Sequence, residues 1–168
     1  AVRDDIDVPP LKLAPTHRWI SAGEATSDVQ VLTDAEVTDC NVTDSALKYW
    51  HKTKQGCSFS EVASLAKGKP SHFNWIRLSE TNPSSTLPAE HAKIHHWKQC
   101  RPLTYREWKR LGSFPDDYHA KTDKIGKYMI GMSVPPKMTE QVARAVCEQW
   151  LNVNYSELSN DNQAKNTN

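Results

Sequence analysis

Val142, Val146 and Trp150 recur at i, i+4 and i+8, flanked by Ala143, Cys147 and Leu151. At 3.6 residues per turn this spacing stacks them on one face of a helix. Val134-Pro135-Pro136 marks where that helix starts, because proline is tolerated in a first turn whose N–H groups have no intrahelical partner. A helix with one apolar seam has to be buried against something larger than itself. Any fold available to this chain must dock that seam.

Composition sets the outer limits. The chain has 168 residues, 38% of them hydrophobic, and a mean hydropathy of −0.69. That is enough for one ordinary domain with a core, or for two small lobes. No stretch approaches the roughly 18 apolar residues of a membrane span, so no membrane partner is expected. The first residues, Ala1-Val2-Arg3-Asp4-Asp5, carry neither an initiator Met nor a signal-peptide pattern and read as a cut end. Cys40, Cys57, Cys100 and Cys147 are scattered without CxxC spacing, which suits a reduced, cytoplasmic setting.

The formal charge of +1 hides an asymmetry. Residues 1–45 have a net charge of −6, residues 46–110 a net charge of +8, and the remainder −1. The basic middle segment also carries five histidines. Such a surface suits a polyanion, because neutralising phosphates releases condensed counterions. It equally suits a solvated basic face with no ligand.

Along the chain, residues 1–3 are β-prone and the acidic, Pro-rich stretch Asp4–Pro15 reads as loop. Short helices are expected from Ser21 to Val31 and from Asp44 to Lys54. Ser58-Phe59-Ser60-Glu61 has capping-box spacing and predicts a helix from Phe59 to Lys67, stopped by Gly68. Lys69 to Gln99 alternates short apolar pieces with Pro, Ser and Asn, which predicts short strands and loops. Thr104-Tyr105-Arg106-Glu107 is a second capping box and opens a helix to Leu111, stopped by Gly112. Beyond Asn152 the tail is dominated by Asn, Ser and charge, and is expected to be disordered.

Two segments carry a resemblance. Arg101-Pro102-Leu103-Thr104-Tyr105-Arg106-Glu107-Trp108-Lys109-Arg110-Leu111, followed by Phe114-Pro115-Asp116-Asp117-Tyr118, resembles the ninth motif of DNA cytosine-5 methyltransferases at every fixed position. Ile130-Gly131-Met132-Ser133-Val134-Pro135-Pro136 is similar to the tenth motif, in the right order and spacing. Ala1–Asp5 resembles the strand closing the eighth motif, and Ile20–Ala25 the start of the variable target-recognition region. Asn82-Pro83-Ser84-Ser85-Thr86-Leu87 resembles the end of that region.

The resemblance implies an α/β fold: the C-terminal part of an S-adenosylmethionine-dependent methyltransferase with a small mixed α+β target-recognition lobe. The last helix would dock on a catalytic domain supplied elsewhere. It divides the chain into 1–19 (end of a catalytic-domain strand and linker), 20–100 (target recognition), 101–151 (ninth and tenth motifs with the C-terminal helix) and 152–168 (tail). The implied partners are double-stranded DNA and a catalytic half, in a prokaryotic or phage-like cytoplasm.

Members of the family flip a cytosine out of the duplex, attack it with a cysteine and transfer a methyl group from S-adenosylmethionine. The nucleophile lies in a Pro-Cys dipeptide assisted by Glu-Asn-Val, and neither occurs here. This chain alone is therefore expected to be inactive. By resemblance, Gly131, Met132, Ser133 and Val134 are cofactor-side residues, although the same stretch can serve only as a tight helix entry. Met129 and Met132 stand where the family has Gln and Asn. Thr86 and Leu87 match the family dipeptide for a DNA contact, and Arg77, Lys93, Lys98, His95 and His96 are further phosphate or base-edge candidates. Arg101, Thr104, Arg106, Glu107, Arg110, Phe114 and Pro115 are expected to be mainly architectural. His91 with His95, and His96 with Cys100, have i, i+4 spacing, but with no second ligand pair no metal is expected. The chain reads either as a fragment of a single-chain enzyme or as a subunit of a split one. A non-catalytic DNA-binding module derived from such an enzyme is the alternative.

Overall fold

A computed structural model describes residues 8–14, 18–29, 31–72, 75–90 and 93–151. The β-prone run 1–3 and the tail beyond Asn152 lie outside the described residues. The chain is a small mixed helix–strand structure: α1 Ala22–Ala25, α2 Asp34–Asp39, α3 Asp44–Trp50, α4 Phe59–Lys67, β1 Ile76–Arg77, β2 Ile94–His95, α5 Tyr105–Leu111, α6 Asp123–Met132 and α7 Pro136–Trp150. It divides into two compact units, residues 19–135 and residues 1–18 with 136–168. The sequence boundary drawn at residue 100 thus falls inside the larger unit.

In the larger unit, β1 and β2 pair in parallel, with Ile76 opposite Ile94 and Arg77 opposite His95. Backbone on both flanks extends the layer: Phe59 N–H donates to Trp75 O at 2.7 Å, and His96 N–H to Arg101 O at 2.9 Å. Side chains alternate across a strand, so this narrow layer separates two cores. Leu78 and Ile94 enter the main core with Ala22, Trp97, Leu103, Tyr105, Trp108 and Ile130. His95 points the other way, onto the rings of Trp75 (centroids 4.9 Å apart) and Phe59 (5.2 Å). Phe59 belongs to a second core with Ala46, Tyr49, Trp50 and Ala63 of α3 and α4.

Local chemistry sets the helix ends. Ser58 caps α4, and Gly68, at φ 64°, ends it in the left-handed conformation that glycine adopts without a Cβ penalty. α5 opens on a complete capping box between Thr104 and Glu107. Its left-handed residue is Ser113 (φ 58°) rather than Gly112 (φ −81°). Gly112 is needed there for proximity, since a Cβ would come within 2.9 Å of the Ile130 side chain.

Two of the expected helices are shorter than their sequence windows. α1 stops at Ala25, where the Thr26 hydroxyl donates to Ala22 O, and Ser27 and Asp28 form a turn. α3 stops at Trp50, where Thr53 N–H and its hydroxyl both donate to Tyr49 O. α2 and α6 were not anticipated. α2 has its own capping box, Thr33 with Glu36. α6 is capped by Thr122 and contains two glycines, which disguise it.

In the smaller unit, α7 is bound by the N-terminal segment around Pro9 and Lys12. Trp150 Nε1 donates to Pro9 O at 2.9 Å, and the Gln149 amide exchanges two hydrogen bonds with the Lys12 backbone. Ala145 is buried, and Val142, Val146 and Trp150 are half-buried.

A buried ion pair fixes α5. Both Glu107 oxygens accept from the Arg101 guanidinium at 2.8 Å, and one also accepts from Thr104 N–H. Glu107 is fully buried. Removing one partner of such a pair strands the other charge, at a cost of about 3–5 kcal/mol. Glu107→Ala is expected to lower Tm by roughly 10 °C in calorimetry; an unchanged Tm would show that the pair carries no net weight.

Candidate functional site

Thr86 is exposed on the loop between β1 and β2, while its neighbour Leu87 packs against the main core. The next residues are clamped from α6. A Cβ on Gly131 would lie 2.4 Å from Pro88 O and 2.6 Å from Ala89 N. Gly131 therefore admits protein backbone rather than a ligand, which identifies one structural demand behind the glycine of the tenth-motif stretch. α6 in turn is seated by Gly126, where a Cβ would meet the Tyr105 ring at 2.4 Å. The Thr86 loop is thus held from both sides, by Leu87 in the core and by the back of α6.

The rest of the tenth-motif stretch is open. Met132 and Val134 are 66% and 61% exposed, and Met129 is also exposed. Ser133 caps the end of α6, and its hydroxyl donates to Met129 O at 2.5 Å. The side chains on view there are apolar, and the one hydroxyl is committed. The stretch therefore offers an apolar surface with little spare side-chain hydrogen-bonding capacity.

The basic candidates separate into two kinds. Arg77 is internal in function: its guanidinium donates to Trp97 O (2.6 and 2.9 Å), Thr53 O (2.9 Å) and Trp50 O (3.4 Å), and lies 3.7 Å from the centre of the Trp50 ring. Burial holds its pKa below the ordinary arginine value. That geometry binds α3 to the segment after β2, and it replaces the phosphate contact read from the sequence. Lys93 pairs with Glu90 at 2.6 Å. Lys98 is exposed, and its backbone N–H donates to His96 Nδ1 at 2.9 Å. Lys98, Gln99, His96, Trp97 and Arg101 border a cavity of about 460 Å³ whose other wall comes from Gly23, Thr26, Ser27, Val29 and Glu80.

His95 and His96 are both buried. Burial pushes His95 down to about 4. Burial does the same to His96, to about 4, with Arg101 and Lys98 adding repulsion against the opposing pull of Glu107. Neither ring is therefore offered to a base edge as a cation at neutral pH. Among the described residues no group of three or more His, Cys, Asp or Glu side chains could hold a metal ion. His91 lies outside them.

The ninth-motif arginines reach across the sequence. Arg106 grips both Glu36 oxygens at 2.7 Å and also donates to Val31 O. Burial opposes ionisation of Glu36, but Arg106 and the Thr33 N–H hold its carboxyl below the usual range. Arg110 bonds Asp28 and Asp116, each at 2.5 Å, and the Arg110 hydrogen bond lowers the Asp28 pKa against a smaller effect of burial. Phe114 and Tyr118 rest on the main core with ring centroids 4.9 Å apart, and Pro115 is exposed. Glu36 escaped the sequence reading. The pattern Thr33-x-x-Glu36 was its signal.

This ninth-motif lattice, with the tenth-motif glycine seated against the Thr86 loop, coincides with a family match. The profile described as C-5 cytosine-specific DNA methylase matches residues 14–148. The chain belongs to that family. Among curated relatives, it is 36% identical over 79 residues to Type II methyltransferase M1.HphI of Haemophilus parahaemolyticus, covering 46% of this chain and 21% of that protein. It is 27% identical over 151 residues to Type II methyltransferase M.NgoFVII of Neisseria gonorrhoeae, covering 79% and 39%. It is 32% identical over 122 residues to Type II methyltransferase M.AquIB of Picosynechococcus sp., covering 65% and 84%. The chain spans about a fifth of the first two relatives it matches. No solved structure matches it. No helix among the described residues is long and apolar enough to cross a membrane.

The histidines give a pH prediction. Their folded pKa lies below the ordinary 6.5, so the unfolded chain binds more protons and stability rises with pH. The stabilisation is complete above about pH 6.5 and is lost as pH falls toward 4, at about 1 kcal/mol per pH unit for each histidine. Urea denaturation between pH 7 and 4.5 should show this slope, and His95→Phe should flatten it.

Proposed function

We propose that this chain is the target-recognition and C-terminal part of a DNA cytosine-5 methyltransferase. In this reading it holds double-stranded DNA, completes one wall of the S-adenosylmethionine pocket, and depends on a catalytic half for chemistry. The observation that carries it is the clamp joining Gly131 to the Thr86 loop. It makes a recognition loop and a cofactor-side helix one rigid piece, which is useful only if DNA and cofactor are bound together. Thr86, Lys93 and Lys98 are the DNA-facing residues of this reading, and Arg77 serves as scaffold. Met132 and Val134 form the apolar cofactor wall. S-adenosylmethionine supplies the methyl group.

The division of labour is supported by the cysteines. Cys40 is buried, and Cys57, Cys100 and Cys147 are half-buried. Burial pushes the Cys100 thiol up, away from the thiolate that a nucleophile needs. None follows a proline. In the complete enzyme the half-buried seam Val142–Trp150 would dock on the catalytic half, in a cytoplasmic setting. The match extends over 84% of M.AquIB.

The purified chain, incubated with DNA and labelled S-adenosylmethionine, is expected to transfer no methyl group. Adding a catalytic half that carries Pro-Cys and Glu-Asn-Val should restore transfer. Activity of the chain alone would refute the division of labour. Exchanging residues 29–99 for those of a relative should change the sequence methylated, and unchanged specificity would remove their recognition role.

A further inference from the structure

α3, α4 and the turns that follow them together carry a charge distribution that their packing does not require. Between Ala46 and Ser79 the basic residues are Lys48, Lys52, Lys54, Lys67, Lys69 and Arg77, and the sole acidic residue is Glu61. Arg77 is consumed internally. The five lysines are exposed, and none forms an ion pair among the described residues.

Two of these lysines line one groove, and a third follows one of its lining residues in sequence. A groove of about 400 Å³ runs between the two helices, with Lys48, Tyr49 and Lys52 on one wall and Val62, Leu65 and Ala66 on the other. Lys67 follows Ala66 directly, in the last turn of α4. The acidic residues sit at the opposite helix ends, Asp44 in the first turn of α3 and Glu61 in that of α4. Leu65 is 79% exposed at the rim.

The helix pair is rigidly attached. The Trp50 indole donates to His96 O at 3.0 Å while its face carries the Arg77 guanidinium. The groove is therefore fixed relative to the segment that bears Lys98.

We propose that the α3–α4 groove is a phosphate-tracking arm, binding the sugar–phosphate backbone of duplex DNA without reading sequence. This rests on the DNA-facing role proposed above and adds a surface to it. Lysines are hydrated point charges on flexible stems, suited to positioning a backbone rather than to bidentate reading of bases. The apolar wall of Val62, Leu65 and Ala66 suits deoxyribose, which lies between successive phosphates. The lysine rim would also attract an acidic protein, but an acidic α-helix would need a longer apolar floor than three residues.

The test is binding of the full 168-residue chain to a mixed-sequence duplex, followed by fluorescence anisotropy from low to moderate salt. Each phosphate contact contributes about 0.9 to the slope of log K against log salt. The combined variant Lys48→Gln, Lys52→Gln and Lys67→Gln should reduce that slope by roughly 2 to 3, equally for every DNA sequence, with Tm unchanged. Replacing the same three lysines with arginine should keep the slope. Lys121→Gln with Lys124→Gln, equally exposed but outside the groove, should leave it unaltered. If the wild-type chain binds duplex DNA and the triple Gln variant keeps its slope, the arm is refuted while the recognition role stands. Should the control pair lower the slope as much, the effect is net charge alone and the arm is again refuted. Absence of wild-type binding at low salt would overturn both readings. Weakened association with the catalytic half at an unchanged DNA slope would make the groove a protein-docking surface instead.

Discussion

A guanidinium and a carboxylate withdrawn from water together are tolerated only when nearly every donor and acceptor between them is satisfied. Arg101 and Glu107 meet that demand with two bonds to each other and a third from Thr104 N–H. The consequences spread outward. Glu107 simultaneously closes the capping box, so the same carboxylate that neutralises Arg101 decides where α5 begins. With α5 placed, Tyr105 and Trp108 enter the main core. Tyr105 then offers the ring face against which Gly126 seats α6, and α6 presents Gly131 to the Thr86 loop. A pair formed within seven residues of sequence thus settles the position of a loop some fifteen residues upstream.

The two-residue strands do comparable work at a different scale. Because neighbouring side chains alternate, Ile94 and His95 belong to different cores, and so do Leu78 and Arg77. Neither core can shift without disturbing the other. In the proposed recognition role such coupling would keep DNA contacts in register while a base is moved. Charged contacts made by Arg106 to Glu36 and by Arg110 to Asp28 tie the acidic N-terminal third to the basic middle. They also explain where part of the charge asymmetry goes. Some of the apparent basic surface is satisfied internally, whereas Lys48, Lys52, Lys54, Lys67 and Lys69, in α3, α4 and the turns after them, form no ion pair among the described residues.

The parts legible in sequence were those written in local chemistry. α4 and α5 occupy the predicted spans; α5 begins at its capping box, whereas Ser58 caps α4 through Ser60 N–H without a reciprocal bond from Glu61, and α7 starts at the expected prolines. α6 was hidden because Gly126 and Gly131 lower helix propensity, and their reason for being glycine lies in contacts distant in sequence. Arg77 was misread for the same cause. Its three acceptors are main-chain carbonyls 20 to 27 residues away, and nothing in the neighbouring sequence announces them. A basic residue in a basic segment looks alike whether it faces phosphate or closes a fold. Thr86 and Lys98 remain open to solvent. Accessibility, which decides between those roles, is a property of the fold.

The methionines at 129 and 132 belong to this same distinction. A side-chain amide at either place would offer donors and acceptors to a cofactor, and a thioether offers almost none. With Ser133 bonded to the Met129 carbonyl, the polar capacity of this stretch is directed inward, to finishing α6. In the proposed complete enzyme, recognition of the charged methionine end of S-adenosylmethionine would then fall to the catalytic half. Dependence of the chain on that half would extend beyond the nucleophile to cofactor affinity. Restoring the amide by Met132→Asn would add a polar group to an exposed site at little cost in stability. If cofactor binding by the assembled enzyme tightened while the melting temperature stayed constant, the methionine would be identified as the cause of a weaker pocket. If binding were unchanged, the apolar wall would be sufficient as it stands.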